Sequence, residues 1–280
     1  MKPLIVAVDF SNTSVHAIDY AMLLANKMKS DISLVWVDKT SSQESVYPDT
    51  SNENRMEAKK RFGELLETYR PKLAKGMSMD YKLKRGKIYR EIDSLAQHLN
   101  AEMIVAGAHG ISGFEEFWIG SNAYKIVSYA TVPVITVRHD FPLKKKIRRI
   151  LALIDGSAET LQKLPFVVKL AALFKSEVHL LTTHNSNIRS IQRIAQKLAQ
   201  TGLVYLQKNG VRVIEDSVVS TDLTKAVLQY AGKSGADLIA IMTEQETPLN
   251  VHLGAQAQQL INQSPFPVLS IHQQEKFVLS

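Results

Sequence analysis

No cysteine occurs among the 280 residues. That absence removes disulfides, thiolate nucleophiles and cysteine-ligated zinc, and it fits a reducing compartment. No apolar run approaches the roughly 20 residues of a membrane-spanning helix. The opening MKPLIVAVDFS is no signal peptide, since its apolar stretch is short and Asp9 interrupts it. A soluble cytoplasmic protein with no membrane attachment is therefore expected. No G-x-G-x-x-G dinucleotide fingerprint is present. AGKSG at 231–235 ends like a P-loop, but Val227 stands where the upstream glycine is required. The eight histidines lack metal-ligand spacing, and His179 and His184 are read as unpaired surface residues. Glycine is scarce at thirteen positions, and four of the thirteen fall in one window, GAHGISGFEEFWIGS at 107–121.

What is present is ordinary for a globular chain: 45% hydrophobic residues, with a length that suits two domains. The net charge of +7 suits an anionic ligand, and a coat of solvated lysines would give the same number. Internal similarity decides the domain question. LIVAVDFSNTSVHAIDYAMLLANKMKSDISLVWV aligns without a gap with RILALIDGSAETLQKLPFVVKLAALFKSEVHLLTT. Asp9 falls on Asp155, Ser11 on Ser157, Ala25 on Ala171 and Lys29-Ser30 on Lys175-Ser176. Further on, AEMIVAGA parallels ADLIAIMT, and TVPVITVRH parallels PFPVLSIHQ. The chain is read as two copies of one unit, 1–140 and 147–280, joined by the basic stretch DFPLKKKIRR, a solvated linker. Without aromatic interleaving or an RNA motif, that stretch does not make nucleic acid an expected partner.

Each unit alternates strand and helix. PLIVAVD is a continuous apolar run, as a strand covered on both faces should be. Residues 13–29 carry Val15, Ile18, Ala21, Met22 and Ala25 at helical spacing. DISLVWV is a second strand, and polar TSSQESVYPDTSN at 40–52 reads as a mobile loop. A helix follows from 55, with Pro71 bending or ending it. MSMDYKLKRG reads as a more exposed strand. Ile88, Ile92, Leu95 and Leu99 stripe a third helix. EMIVAG, SNAYKIVSYA and PVITVR complete the unit. The expected class is α/β: two tandem five-stranded parallel sheets, Rossmann-like, with right-handed crossovers and helices on both faces. Ligands in such sheets bind at the carboxyl ends of strands where the winding reverses. Asp9 and Gly107 end the two most apolar strands, and they face one crevice if those strands are neighbours.

In the glycine window, Gly120 and Ser121 precede a helix striped by Ala123, Ile126, Val127 and Ala130. A helix start offers free N–H groups and partial positive charge, a seat for an anion. Gly120 without a Cβ lets phosphate approach, Ser121 offers a hydroxyl, and Gly107 and Gly110 let main-chain amides curl around the same group. Ser121 as a plain helix cap is the competing reading. Glu115-Glu116 reads as a solvated pair, and Phe117-Trp118-Ile119 as an apolar anchor for the loop.

The spacing G-x2-G-x9-G-S after an apolar strand resembles the nucleotide-binding signature of the universal stress protein family. IVAVDFS and VPVITVR resemble that family's opening and closing strands, and the likeness runs through both halves, as in tandem members with the adenine nucleotide α-hydrolase-like fold. The resemblance implies ATP as ligand, with magnesium. It implies that Asp9 bonds the ribose, that main chain near Val37 recognises adenine, and that Gly107, Gly110, Gly120 and Ser121 hold the phosphates. Asn122 is a further candidate contact. His109 fits the pattern as a loop hydrogen-bonder. Phe10 stands where the family commonly has glycine, and is expected to narrow the crevice.

The second copy departs from the motif. Met242 occupies the Gly107 position and Gln245 the Gly110 position, and Gly254-Ala255 replaces Gly-Ser with one residue fewer. The expectation is an ATP-binding regulatory protein of the stress response, not an enzyme. Its second unit would be a structural pseudo-partner, in an intramolecular pseudo-dimer that could itself form homodimers and act on an unidentified protein partner. The alternatives are a slow ATPase, and a scaffold or a module for a non-nucleotide ligand. No catalytic base or arginine finger is visible near Asp9.

Overall fold

A computed structural model describes residues 2–39, 51–108, 120–184, 189–243, 254–273 and 279. The chain divides into two compact units, residues 1–143 and 144–280. In the first, the elements run β1 (Leu4–Ala7), α1 (Asn12–Met28), β2 (Ile32–Lys39), α2 (Ser51–Tyr69), β3 (Met79–Gly86), α3 (Ile88–His98), β4 (Met103–Gly107), α4 (Ser121–Tyr129) and β5 (Val134–Val137). The strands lie in the order β3-β2-β1-β4-β5, and every pairing is parallel. The winding reverses between β1 and β4, where Leu4 pairs with Met103 and Val6 with Val105. The two most apolar strands are thus neighbours, as the crevice requires.

Burial explains the continuous apolar runs. Leu4, Ile5 and Val6 of β1 and Met103, Ile104 and Val105 of β4 are wholly inaccessible. Helices cover both faces, α1 and α2 on one side and α3 with α4 on the other, the arrangement that right-handed crossovers dictate on either side of a reversal. On α1 the stripe residues Ile18, Ala21, Met22 and Ala25 are buried, joined by Ala17, Tyr20 and Leu24. β3 is more exposed, as its alternating sequence predicts. Pro71 ends α2: the α-helix stops at Tyr69 and a 3-10 turn takes Arg70–Lys72. Of the predicted loop at 40–52, residues 40–50 lie outside the described residues. Ser51 and Asn52 already belong to α2, whose first turn carries Glu53, a favourable charge at a helix start.

The second unit repeats the plan: β6 (Arg149–Ile154), a 3-10 turn (Ala158–Leu161), α5 (Leu164–Phe174), β7 (Glu177–His184), α6 (Arg189–Lys208), β8 (Arg212–Val219), α7 (Leu223–Ser234), β9 (Leu238–Thr243), α8 (Ala255–Gln263) and β10 (Val268–His272). The order β10-β9-β6-β7-β8 is again parallel throughout. Repetition extends to detail. Lys29 and Lys175, at matching positions, both end their helices at φ 54°. The units differ where α1 begins. Ala158, matching Asn12, opens the 3-10 turn, and the α-helix starts only at Leu164 with Pro165 in its first turn. Proline is tolerated there and not deeper in a helix.

Two sequence readings need correction. The basic stretch before β6 is not simply solvated. The Lys144 ammonium donates to Asp237 Oδ1 at 2.5 Å, the amides of Arg148 and Arg149 donate to Asp237 Oδ2, and Ile147 is buried. A buried aspartate needs such partners, and the linker supplies them. His179 is likewise neither exposed nor unpaired. It is buried between Tyr230 Oη and Glu177 Oε1, both at 3.1 Å.

Candidate nucleotide site in the first unit

The chain leaves β1 through a tight side-chain network. Asp9 Oδ1 accepts from the Ser11 amide at 3.0 Å and from Ser11 Oγ at 2.6 Å. Ser11 Oγ in turn accepts from the Ser14 amide and caps α1. The aspartate is thereby oriented through one oxygen, and Oδ2 makes no hydrogen bond to the described residues. Phe10 sits at φ 63°, in the left-handed region that bulky residues rarely occupy. Its ring is held 4.9 Å from Phe62 and lies under the Arg61 guanidinium, and Arg61 also donates to the Phe10 carbonyl. Phe10 is not among the residues lining the cavity, so the expected narrowing does not occur: the positive φ turns its ring onto α2 instead.

A cavity of about 410 Å³ lies at the carboxyl ends of β1, β2 and β4. That is within the roughly 300–1,000 Å³ of small-molecule sites. Asp9, Val37, Gly107, Gly120, Ser121 and Asn122 all line it, so six of the seven predicted residues meet in one hollow. Gly110, the seventh, lies outside the described residues with His109, Glu115-Glu116 and Phe117–Ile119. Its apolar walls come from Val8, Trp36, Ile88, Ile92 and Ile126, from strand ends and from the inner faces of α3 and α4.

The start of α4 bears on the capping reading of Ser121. Gly120 is the cap residue, and no side chain caps this helix. Ser121 is the first helical residue, exposed, with its hydroxyl free of a capping role. The Gly120 amide is spent on the Ala108 carbonyl at 2.7 Å, which ties the start of α4 to the end of β4. Beyond it Ser121, Asn122 and Ala123, the first residues of α4, line the cavity. Uncapped N–H groups with partial positive charge are suited to an anion. Gly107 has a further reason to be glycine. A Cβ there would lie 2.8 Å from Thr13 Cγ2 and 3.1 Å from the Thr13 carbonyl, because α1 begins against the end of β4.

Sequence reasoning overlooked Asp38. It ends the apolar run of β2, lines the cavity beside Val37, and is buried, with Oδ2 lacking any hydrogen-bond partner among the described residues. A carboxylate closing VWVD was the available signal. An acceptor left unmatched inside a protein is expensive unless something else donates to it. Among the described residues no group of three or more acidic or histidine side chains could hold a metal ion, and no helix is long and apolar enough to cross a membrane.

The corresponding hollow of the second unit is smaller, about 220 Å³, and Met242 forms part of its wall with Asp155, Lys163, Gly254 and Ala255. Asp155 repeats the Asp9 network, accepting from the Ser157 amide at 2.9 Å and Ser157 Oγ at 2.5 Å.

Comparison with known proteins agrees with this duplication. The family model described as the universal stress protein family matches twice, at residues 1–138 and 146–272. The universal stress protein YxiE of Bacillus subtilis is 33% identical over 144 residues, covering 48% of this chain and 97% of that protein. Sll1388, a universal stress protein of Synechocystis, is 23% identical over 149 residues, covering 49% of this chain and 97% of its own length. The crystal structure of a universal stress protein from Archaeoglobus fulgidus superposes with a TM-score of 0.79 at 19% identity, over 96% of this chain and 98% of that one, which is a likeness of fold. With two matched units, each holding the parallel sheet and the aspartate–serine network, the chain belongs to the universal stress protein family as a tandem member.

Proposed function

We propose that the first unit binds an adenine nucleotide, ATP with its magnesium, and that binding serves a regulatory role in the stress response. The observation that carries this reading is the convergence of Asp9, Val37, Gly107, Gly120, Ser121 and Asn122 on one cavity of nucleotide size. Asp9, oriented by Ser11, offers its free oxygen to the ribose hydroxyls. The main chain at Val37 meets the base. Asp38 Oδ2, an acceptor in want of a donor, suits the exocyclic amine of adenine and opposes the carbonyl of guanine. The uncapped start of α4 receives the phosphates, with Gly110 assigned to them by its motif alone. Magnesium would neutralise phosphate charge when bound. The second unit, with Met242 in a hollow of about half the volume, takes no nucleotide and serves as structural partner to the first. Calorimetry of the full chain with Mg-ATP tests the reading. Wild type binds ATP, and Gly120→Asp, which sets a negative charge at the mouth of α4, lowers affinity at least roughly tenfold, about 1.4 kcal/mol. Equal affinity in the variant overturns it.

A further inference from the structure

Lys163 is the one lysine or arginine that is buried among the described residues. It matches Ala17 of the first unit, yet it is only 1% exposed. The late start of α5 explains its position. Pro165 delays the helix, so Lys163 falls at the junction between the 3-10 turn and α5 and its side chain folds inward. Its ammonium donates to the Thr160 carbonyl and, at 3.1 Å, to Thr160 Oγ1. That hydroxyl already accepts from the Asp155 amide and faces the Leu153 carbonyl at 3.4 Å. These partners are all neutral. Among the described residues no carboxylate comes within ion-pair distance of Lys163. Asp155 acts on it from farther away, and its Oδ1 is engaged by Ser157. A buried cation without a counter-ion is costly, and proteins rarely keep one without use.

Lys163 also forms part of the wall of the 220 Å³ hollow. Gly254 and Ala255, at the start of α8, a helix with no side-chain cap, line the same hollow. The remaining walls include Leu153, Ile241 and Leu260, together with Asp155, whose carboxylate is held at Oδ1 by the Ser157 amide and hydroxyl. One ammonium suits one negative charge, the uncapped start of α8 suits its oxygens, and the aliphatic walls suit a short hydrocarbon. We propose that the second unit holds a binding site for a small organic monocarboxylate, whose carboxylate pairs with Lys163 and whose carbon chain lies against the aliphatic wall. The duplication thus yields two crevices of different chemistry. Burial lowers the ammonium's pKa to about 8, with Asp155 opposing the shift, which agrees with a site missing its anion. This site does not depend on nucleotide binding by the first unit.

The full chain is titrated with butanoate, inorganic phosphate and chloride at constant ionic strength, and thermal unfolding is followed. Butanoate at tenfold excess over its Kd raises the midpoint by roughly 3 °C, chloride does not, and Lys163→Met loses the response. A butanoate response retained in Lys163→Met, no response in wild type, or a response to phosphate alone overturns the proposal. Should Lys163→Met not fold, the titration of Lys163 followed by ¹³C NMR in wild type decides. Its midpoint rises when butanoate is present, and an unmoved midpoint overturns the proposal.

Discussion

At Gly107 a side chain would have to share space with Thr13, whose Cγ2 lies 2.8 Å from the Cβ position. Gly107→Ala therefore forces β4 and α1 apart. Overpacking of this kind costs about 1–3 kcal/mol, read as a lower urea midpoint of the full chain. Thr13→Ser, which removes Cγ2, recovers part of the loss, and complete recovery is excluded by the Thr13 main chain at 3.1 Å. Lys163 gives a residue-scale prediction with pH. Its folded pKa of about 8 lies below the ordinary 10.5. Below pH 8 the ammonium is charged in folded and unfolded chains alike, and its burial penalty is felt in full. Between about 8 and 10.5 the unfolded chain holds a proton that the folded one has released, so stability rises with pH. The stability of Lys163→Met relative to wild type accordingly falls as pH rises from about 8 toward 10.5, by on the order of 3 kcal/mol. Denaturant melts across pH 6–11 check both the sign and the window.

At the scale of elements, the two copies answer the same aspartate–serine sequence differently. Ser11 orients Asp9 and also caps α1 through the Ser14 amide. Ser157 orients Asp155 but caps nothing, because Pro165 moves the helix start to Leu164. Ser11→Ala should then cost about 1 kcal/mol more than Ser157→Ala, the usual worth of a helix cap, as measured by equilibrium unfolding. Equal losses would remove the distinction. The strands, the striped helices and the end of α2 at Pro71 were legible in the sequence because each depends on local pattern and chain stereochemistry. The engagement of the basic linker by Asp237 was not legible: Asp237 is some ninety positions away, and only the sheet's folding brings them together. His179 was misread for the same reason, since Tyr230 reaches it from α7.

For the whole molecule, two homologous units with unlike crevices predict unequal occupancy. Native mass spectrometry with excess Mg-ATP should find one nucleotide per chain. At a hundredfold excess over Kd, that binding stabilises the folded state by about 2.7 kcal/mol. Two nucleotides per chain would show that Met242 does not close the second crevice to ATP.

Duplication, the parallel α/β class and the candidate site of the first unit are properties of the sequence alone, because buried strands, helix stripes and glycine spacing are written in consecutive residues. Tertiary structure decided what no linear pattern carries. Packing against Thr13 gives Gly107 a second reason to lack a side chain. The turn of Phe10 onto α2 keeps the crevice open. Among the described residues, buried Asp38 has no donor to its Oδ2 and buried Lys163 has no carboxylate within ion-pair distance, and the physical reason is common to both: the solvation of a charged group depends on every element around it, and those elements come from distant parts of the chain.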